Sequence, residues 1–232
     1  MISIIIPTLN EEACLEKVLQ NVDDLREECD VELIVADGGS DDRTVEIARR
    51  YARVVQTGRG RALQLNAAAK VARGDILFFV HADMTLPKGT LKIIREKVLK
   101  ENYYGGGFSN TFTSHNKRIK RLGRLLNIRI FDNDRPSNTV FFGDNGIFVR
   151  RSSFNALEGF KPMPIMEDYD FSRRMMKRFK VVRIMEPRLG VSPRRHERSG
   201  FVRTRLQWIA IKWLYLLGVS PRCLTRLYSA VR

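Results

Sequence analysis

Cysteine is scarce in this chain of 232 residues. Cys14, Cys29 and Cys223 are odd in number, far apart and in no Cys-x-x-Cys pairing. That argues against a disulfide framework and a cysteine zinc site, and reads as reduced, cytosolic thiols. Long apolar runs are missing as well. The greasiest stretch, Trp208 to Val219, is interrupted by Lys212 and falls short of the roughly 20 apolar residues that a spanning helix needs, so a transmembrane protein is not expected. The opening Met1-Ile2-Ser3-Ile4-Ile5-Ile6-Pro7 is too short for a signal peptide and lacks its basic flank and small-residue cleavage site; it reads as a first strand. Repeats, low-complexity tracts and Pro/Gly/Ser linkers are absent too. The length suits one well-packed domain rather than two large ones. Residues 1–190 are expected to form it, with 191–232 as a basic helical appendage of the same unit.

Acid is missing from one end. Residues 1–170 hold 25 Lys/Arg and 24 Asp/Glu, a net +1, whereas the last 62 residues hold 16 Lys/Arg against Glu186 and Glu197 alone, a net +14 of the total 41 − 26 = +15. The asymmetry points to a polyanionic partner for the C-terminal end: an anionic lipid surface, a nucleic acid or a phosphorylated substrate. A merely solvated basic face is the plainer alternative.

What is present is a repeated strand–turn–helix pattern. Ile2 to Ile6 precedes Leu15, Val18, Leu19, Val22 and Leu25 at helical spacing, with Asn10 as the expected N-cap. Val31 to Ala36 ends in the turn cluster Asp37-Gly38-Gly39-Ser40-Asp41-Asp42 before a helix through Val45, Ala48 and Tyr51. Val54-Val55 leads through Gly58-Arg59-Gly60-Arg61 into an Ala-rich helix, and Ile76 to Val80, apolar on both faces, reads as a central strand. The second half is less regular, with a basic helix expected from about Asn116 to Ile130 and a strand near Ile147-Phe148-Val149. The fold class is therefore α/β, a mostly parallel sheet flanked by helices, with ligands expected outside the carboxyl ends of its strands.

Three polar clusters fall at those ends: Thr8 to Glu12, Asp37 to Asp42, and His81-Ala82-Asp83. A carboxylate at the end of a buried strand is costly unless solvated, paired or bound to a cation, which singles out Asp83, although a turn cap before Pro87 would also account for it.

Five segments, Ile4 to Glu12, Val35 to Thr44, Gly58-Arg59-Gly60-Arg61-Ala62, Phe79 to Asp83 and Met166-Glu167-Asp168, resemble in their order the motifs of family 2 glycosyltransferases of the GT-A fold, the small soluble bacterial type. The resemblance covers residues 2 to about 180. It implies a nucleotide-sugar site in which Pro7, Thr8, Asn10, Glu11 and Asp37 hold base and ribose, with Arg59 and Arg61 near the diphosphate. Helix-dipole pairing for Glu11 and a surface position for Arg61 are the alternatives. The family's Asp-x-Asp is here His81-Ala82-Asp83, so the resemblance gives the metal, Mn²⁺ or Mg²⁺, to Asp83 and leaves His81 to ribose, to metal or to the fold. Asp168 is the implied base and Glu167 its alternate or acceptor-binding partner, against a capping role. Asp144 and Asn145 resemble the segment that lines the donor and acceptor sugars; turn closure is the other reading of Asp144.

The resemblance fades after about residue 190. Arg195 and His196 sit in a loop composed as if to cover an anionic acceptor or diphosphate, His196 being placed to complete the metal site or to touch the diphosphate; a plain surface loop is the other reading. Beyond it Val202, Leu206, Ile209, Trp213 and Leu217 recur at helical spacing, with Arg203, Arg205 and Lys212 elsewhere on the helix and Trp208 and Tyr215 enlarging the apolar face. A membrane interface, the domain itself and a second subunit, giving a homodimer, are the three surfaces it suits. The resulting expectation is a metal-assisted, inverting transfer from a nucleotide-diphosphate sugar, a UDP-sugar above others, to an acceptor hydroxyl. The acceptor would be phosphorylated or lipid-linked, and the protein cytoplasmic or peripheral at the inner face of the membrane. A nucleotidyltransferase is the rival enzyme class, but it would carry a Gly-rich basic signature where Pro7-Thr8-Leu9-Asn10-Glu11 stands. A non-catalytic protein that binds lipid or nucleic acid is the other rival, and no nucleic-acid motif accompanies the charge.

Overall fold

The β-branched run at the start of the chain forms strand β1 (Ile2–Thr8), and the sheet is built outward from it. A computed structural model describes residues 1–113, 140–193 and 200–229; the helix expected from about Asn116 to Ile130 lies outside the described residues. The other strands are β2 (Val31–Asp37), β3 (Arg53–Gln56), β4 (Ile76–Phe79), β5 (Met84–Thr85), β6 (Gly105–Phe112), β7 (Ile147–Arg150) and β8 (Val181–Val191). The described helices are α1 (Leu15–Asp24), α2 (Thr44–Arg49), α3 (Arg61–Val71), α4 (Thr90–Leu99), α5 (Arg151–Ala156), α6 (Glu167–Arg178), α7 (Phe201–Leu216) and α8 (Pro221–Ser229). Asn10 does not cap α1 as expected. It takes a left-handed φ of 54°, and the helix starts only at Leu15.

The eight described strands join one sheet in the order β3-β2-β1-β4-β7-β6-β8-β5. Its first half is parallel as expected, from β3 to β4. The second half is mixed: β7 runs antiparallel to both β4 and β6, β8 is parallel to β6, and β5 is antiparallel to β8. The antiparallel run of β7 has a local cause. The chain enters β7 from a single 3-10 turn, Gly143–Asn145, at the carboxyl end of β4, so β7 must run back along its neighbour. Three glycines, 105–107, let β6 fit between β7 and β8; a Cβ at Gly106 would lie 2.1 Å from the Val182 carbonyl oxygen.

Side-chain alternation divides the core between the two sheet faces. Ile4, Ile6, Val35, Phe78 and Phe148 meet α1, α2 and α4 on one face, while Ile5, Ile34, Leu77, Phe79 and Val149 meet α3, α5 and α6 on the other. Strands covered on both sides read as continuous apolar runs, which explains the sequence of β4. On the second face Phe79, Phe160 and Phe171 form an aromatic cluster, with Phe160 edge-on to Phe79 at 5.0 Å and tilted against Phe171 at 4.5 Å between ring centroids. Full burial of each such ring contributes about 1.5–3 kcal/mol.

One acid is buried at the amino ends of β1 and β2. Glu32, register partner of Ser3, accepts from Ser3 Oγ at 2.7 Å, from the Arg73 backbone N–H at 2.8 Å and from Arg73 Nε at 3.0 Å. Burial alone would raise its pKa, but these hydrogen bonds outweigh burial and hold the carboxyl below the ordinary glutamate value. The unfolded chain therefore takes up this proton first as pH falls, and the stabilisation is complete above the ordinary glutamate range and lost through the depressed value. Glu32→Gln is expected to lower the melting temperature at pH 7, and the gap to wild type should close as the pH is taken down through the acid range. Circular-dichroism melts across pH check this, and a gap independent of pH would rule it out.

Candidate active site

The loops after β1 and β2 are laced to one another. The Asn10 N–H donates to Ser40 Oγ and the Asp41 N–H to Asn10 Oδ1, each at 2.9 Å; the Glu11 N–H donates to Thr44 Oγ1 at 2.8 Å. Glu12 adds two longer bonds, its N–H donating to Asp42 Oδ2 and its Oε2 accepting from the Arg43 N–H, both at 3.2 Å. Asp37 lies beneath, fully buried. Its Oδ1 accepts from the backbone N–H groups of Gly39 and Ser40 at 3.0 Å, and its Oδ2 accepts from Ser40 Oγ at 2.5 Å and Thr8 Oγ1 at 3.2 Å. The structure thus brings Asp37 to the floor of the expected nucleotide site, but with four chain donors on its carboxylate. Below it Gln64 Nε2 donates to the carbonyls of Thr8 at 2.7 Å and Ala36 at 2.9 Å, joining the ends of both strands. Sequence reading passed over Gln64. The signal was there, since it shares a helix face with Leu65 and Ala68 and is a polar residue at a core position.

A narrow cleft of about 10 Å³ beside this floor is lined by Pro7, Arg61, His81, Gly143 and Asp168 over Phe79, Ile147 and Phe160. Glu167 and Asp168 lie in the first turn of α6, where the helix dipole favours negative charge. Asp168 Oδ2 accepts from the Gly143 N–H at 2.6 Å and Oδ1 from the Tyr169 N–H at 2.7 Å. Arg61 Nη1 reaches over both acids, 3.3 Å from Glu167 Oε1 and 3.9 Å from Asp168 Oδ2. The two arginines expected at the diphosphate therefore part company. Arg61 faces the cleft with 35% of its side chain exposed, whereas Arg59 is 70% exposed and pairs at 3.6 Å with Asp41 at the rim. An exposed pair of that kind contributes about 0–1 kcal/mol, so Arg59 exchanges partners at little cost.

His81 follows β4 and lies against Gly143; its imidazole is pushed well below the ordinary histidine value by burial and then by the Arg61 charge. It is a neutral nitrogen donor or acceptor at pH 7. Asp83 stands two residues on, in the turn between β4 and β5. Among the described residues no three His, Cys, Asp or Glu side chains are grouped to hold a metal ion. One hard carboxylate with a neutral imidazole nearby is a donor set that fits a divalent ion bringing phosphate oxygens of its own.

Asn145 is not placed as expected for a sugar contact. Its Oδ1 accepts from the Phe142 N–H at 2.9 Å and its Nδ2 donates to the Phe108 carbonyl at 3.0 Å, so it fixes the 3-10 turn whose Gly143 meets Asp168. Asp144 lies exposed on that turn, its carbonyl accepting from Asn110 Nδ2 at 3.0 Å. Arg195 and His196 fall outside the described residues. A separate cleft of about 360 Å³ at the other end of the sheet is lined by Asp75, Arg150 and Arg151. Its arginines donate to the carbonyls of Val98, Tyr103 and Ala72, and so serve the fold.

The C-terminal helices pack against the start of α6. Trp208, Ile211, Tyr215 and Leu224 gather around Ile165, Met166 and Tyr169, and the Tyr215 ring meets Tyr169 edge-on at 5.8 Å. Met166, the residue before α6, has a left-handed φ of 68°, which costs a non-glycine residue about 1–3 kcal/mol. Burial of its side chain under α7 and α8 offsets that by a similar amount. Of the three surfaces open to the tail, one face of α7 takes the domain.

A Cβ on Gly143 would lie 2.3 Å from His81 Nε2 and 3.3 Å from Asp168 Oδ2. Gly143→Ala is therefore expected to destabilise the protein by about 1–3 kcal/mol through overpacking, and His81→Ala in the same chain to restore most of that loss. Urea denaturation midpoints of the single and double variants measure both effects.

Comparison with known proteins agrees with this architecture. The chain is 37% identical over 98 residues to the glucosyl-3-phosphoglycerate synthase of Mycobacterium tuberculosis, 37% of this chain and 30% of that protein. It is 28% identical over 182 residues to the 4,4'-diaponeurosporenoate glycosyltransferase of Staphylococcus haemolyticus, 73% of this chain and 45% of that one. It thus spans less than half the length of either relative. Among solved structures, S. aureus TarS 1-349 in complex with UDP superposes with a TM-score of 0.66 at 18% identity, covering 82% of this chain and 60% of that one. The M. tuberculosis glucosyl-3-phosphoglycerate synthase in complex with Mn²⁺, UDP and glucosyl-3-phosphoglycerate superposes with 0.59 at 22%, covering 83% and 70%. At these identities the likeness is one of fold, the GT-A arrangement of a sheet between helices. A family model described as Glycosyl transferase family 2 matches residues 3–157, well over half of the sequence, and the chain belongs to that family.

Proposed function

We propose that this chain transfers a sugar from a UDP-sugar to an acceptor hydroxyl with inversion at the anomeric carbon. The observation that carries the reading is the meeting, in one cleft, of the Asp168 carboxylate with the Arg61 guanidinium beside the laced loops after β1 and β2. Pro7, Thr8, Asn10 and Glu11 hold the base and ribose, and Asp37 acts chiefly by fixing the loop that faces them. In the reaction the acceptor oxygen bonds to the anomeric carbon as the bond from that carbon to the diphosphate oxygen breaks. Asp168 takes the acceptor proton, oriented by the Gly143 and Tyr169 N–H groups, which leave each carboxylate oxygen a further lone pair. Glu167 holds Arg61 at the cleft, where a planar guanidinium suits diphosphate oxygens. Asp83, with His81 beside it, would hold Mn²⁺ or Mg²⁺, which when bound supplies positive charge to the leaving diphosphate.

Residues 1–190 act as the transferase domain and 191–232 as part of the same unit. The +14 charge of the last 62 residues suits a phosphorylated or lipid-linked acceptor and a working position at an anionic membrane surface.

Asp168→Asn is expected to keep UDP binding and to lose turnover of the UDP-sugar by about 10²–10⁴-fold, the usual contribution of a positioned base. UDP release and UDP-dependent thermal shift, read side by side, test this, and unchanged turnover would remove the base assignment. Asp83→Ala is expected to abolish the part of the UDP thermal shift that requires Mn²⁺. An undiminished shift would take the metal away from Asp83.

A further inference from the structure

Helix α7 is apolar on two opposite faces, and the fold covers one of them. At about 100° per residue, Thr204, Trp208, Ile211 and Tyr215 share the face turned to the domain, with Thr204 and Ile211 buried. Leu206, Ile209, Trp213, Leu216 and Leu217 fall within an arc of about 100° on the far side. They remain in solvent: Leu206 is 61% exposed, Trp213 59% and Leu217 79%. A helix that buries one face needs polar residues on the other, so packing in this chain does not account for the second stripe. Arg203 and Lys212 lie at its two borders. Residues 201–232 contain six Lys/Arg and no Asp or Glu, and α8 exposes Arg222 and Arg226 next to α7. Among the described residues no helix is long and apolar enough to cross a membrane.

We propose that the outer stripe of α7, framed by these cations, lies in the interface of an anionic membrane, with Trp213 and Leu206 among the acyl chains and the cations at the headgroups. An apolar stripe bordered by basic residues and centred on a tryptophan is the composition of an interfacial helix. Charge decides between lipid and a second copy of the chain. A two-fold dimer through α7 sets the same all-basic surface against itself, whereas an anionic bilayer neutralises it. The placement also bears on the acceptor, and here the inference rests on the transferase reading. The inner face of α7 packs on Met166 and Tyr169, which flank Glu167 and Asp168. A docked α7 therefore holds the start of α6 about one helix diameter, some 10 Å, from the headgroups, within reach of an acceptor carried on a lipid.

The test is co-sedimentation of the full chain with vesicles of phosphatidylcholine alone or mixed equally with phosphatidylglycerol, for wild type and for Leu206→Gln/Trp213→Gln. Wild type should pellet with the anionic vesicles only, and less so in high salt. The double variant should bind at least about tenfold more weakly, with its melting temperature unchanged because both side chains are exposed. As a second readout on a minimally altered chain, anionic vesicles should shift tryptophan emission to the blue in wild type and much less in Trp213→Phe. Failure of wild type to pellet, or equal pelleting of the variant, overturns the proposal. So does a concentration-dependent dimer that the double variant dissolves while neither protein binds vesicles, which would assign the stripe to a second copy. The UDP thermal shift with Mn²⁺, measured on both proteins, keeps the two readings apart. Vesicle binding without that shift overturns the transferase reading alone, and the shift without vesicle binding overturns the docking alone.

Discussion

A single buried amide ties together the edge on which the site is built. Gln64 donates to the carbonyls of Thr8 and Ala36, at the carboxyl ends of two parallel strands, and its side chain lies against Gly38, where a Cβ would come within 3.0 Å of its nitrogen. Each such bond contributes about 0.5–1.5 kcal/mol net, while a carbonyl left bare in the interior costs about 1–3 kcal/mol. Larger than either is the order imposed above. With the strand ends fixed, Asp37 can gather Thr8, Gly39 and Ser40 around its carboxylate, and the loops after β1 and β2 can exchange bonds through Asn10, Glu11 and Glu12. A loop pair held by side chain–backbone bonds at this many points presents its polar edge already ordered, which lowers the cost of binding a ligand there.

The acidic pair is positioned from the opposite direction. Glu167 and Asp168 owe their place to the abrupt start of α6 at a left-handed Met166, and that backbone is held by packing from α7 and α8. Arg61 then closes the cleft from α3, so that three elements distant in sequence meet within 4 Å of Asp168. The C-terminal helices are thus joined to the chemistry through the residue that begins α6. Whatever binds the outer face of α7 acts on a helix whose inner face touches Met166 and Tyr169.

Much of the fold was legible in the sequence, and so was part of the site. The unbroken apolar run of Ile76 to Val80 marked a strand covered on both faces, because burial on two sides leaves no room for polar residues, and the β-branched run of Ile2 to Ile6 marked the first strand. The motifs that carry the family resemblance named Pro7, Arg61, His81 and Asp168, which line one cleft. Arg59 was read with Arg61 because both follow a glycine in one short loop; which of them turns inward depends on Glu167, more than a hundred residues away. Asn145 looked like a sugar contact by its motif, yet its amide is occupied by the backbone of the turn that it closes.

By itself the sequence determined what depends on neighbours along the chain: the periodicity of strands and helices, the turn residues between them, the acids of the first turn of α6 and the basic character of the last 62 residues. Tertiary structure alone decided the antiparallel return of β7 beside β4, the buried roles of Gln64 and Met166, the division of labour between Arg59 and Arg61, and which apolar face of α7 is covered. Periodicity records that a side chain is to be buried, whereas the partner that buries it, or satisfies its polar atoms, comes from a distant part of the chain and is fixed only when the strands take their order in the sheet.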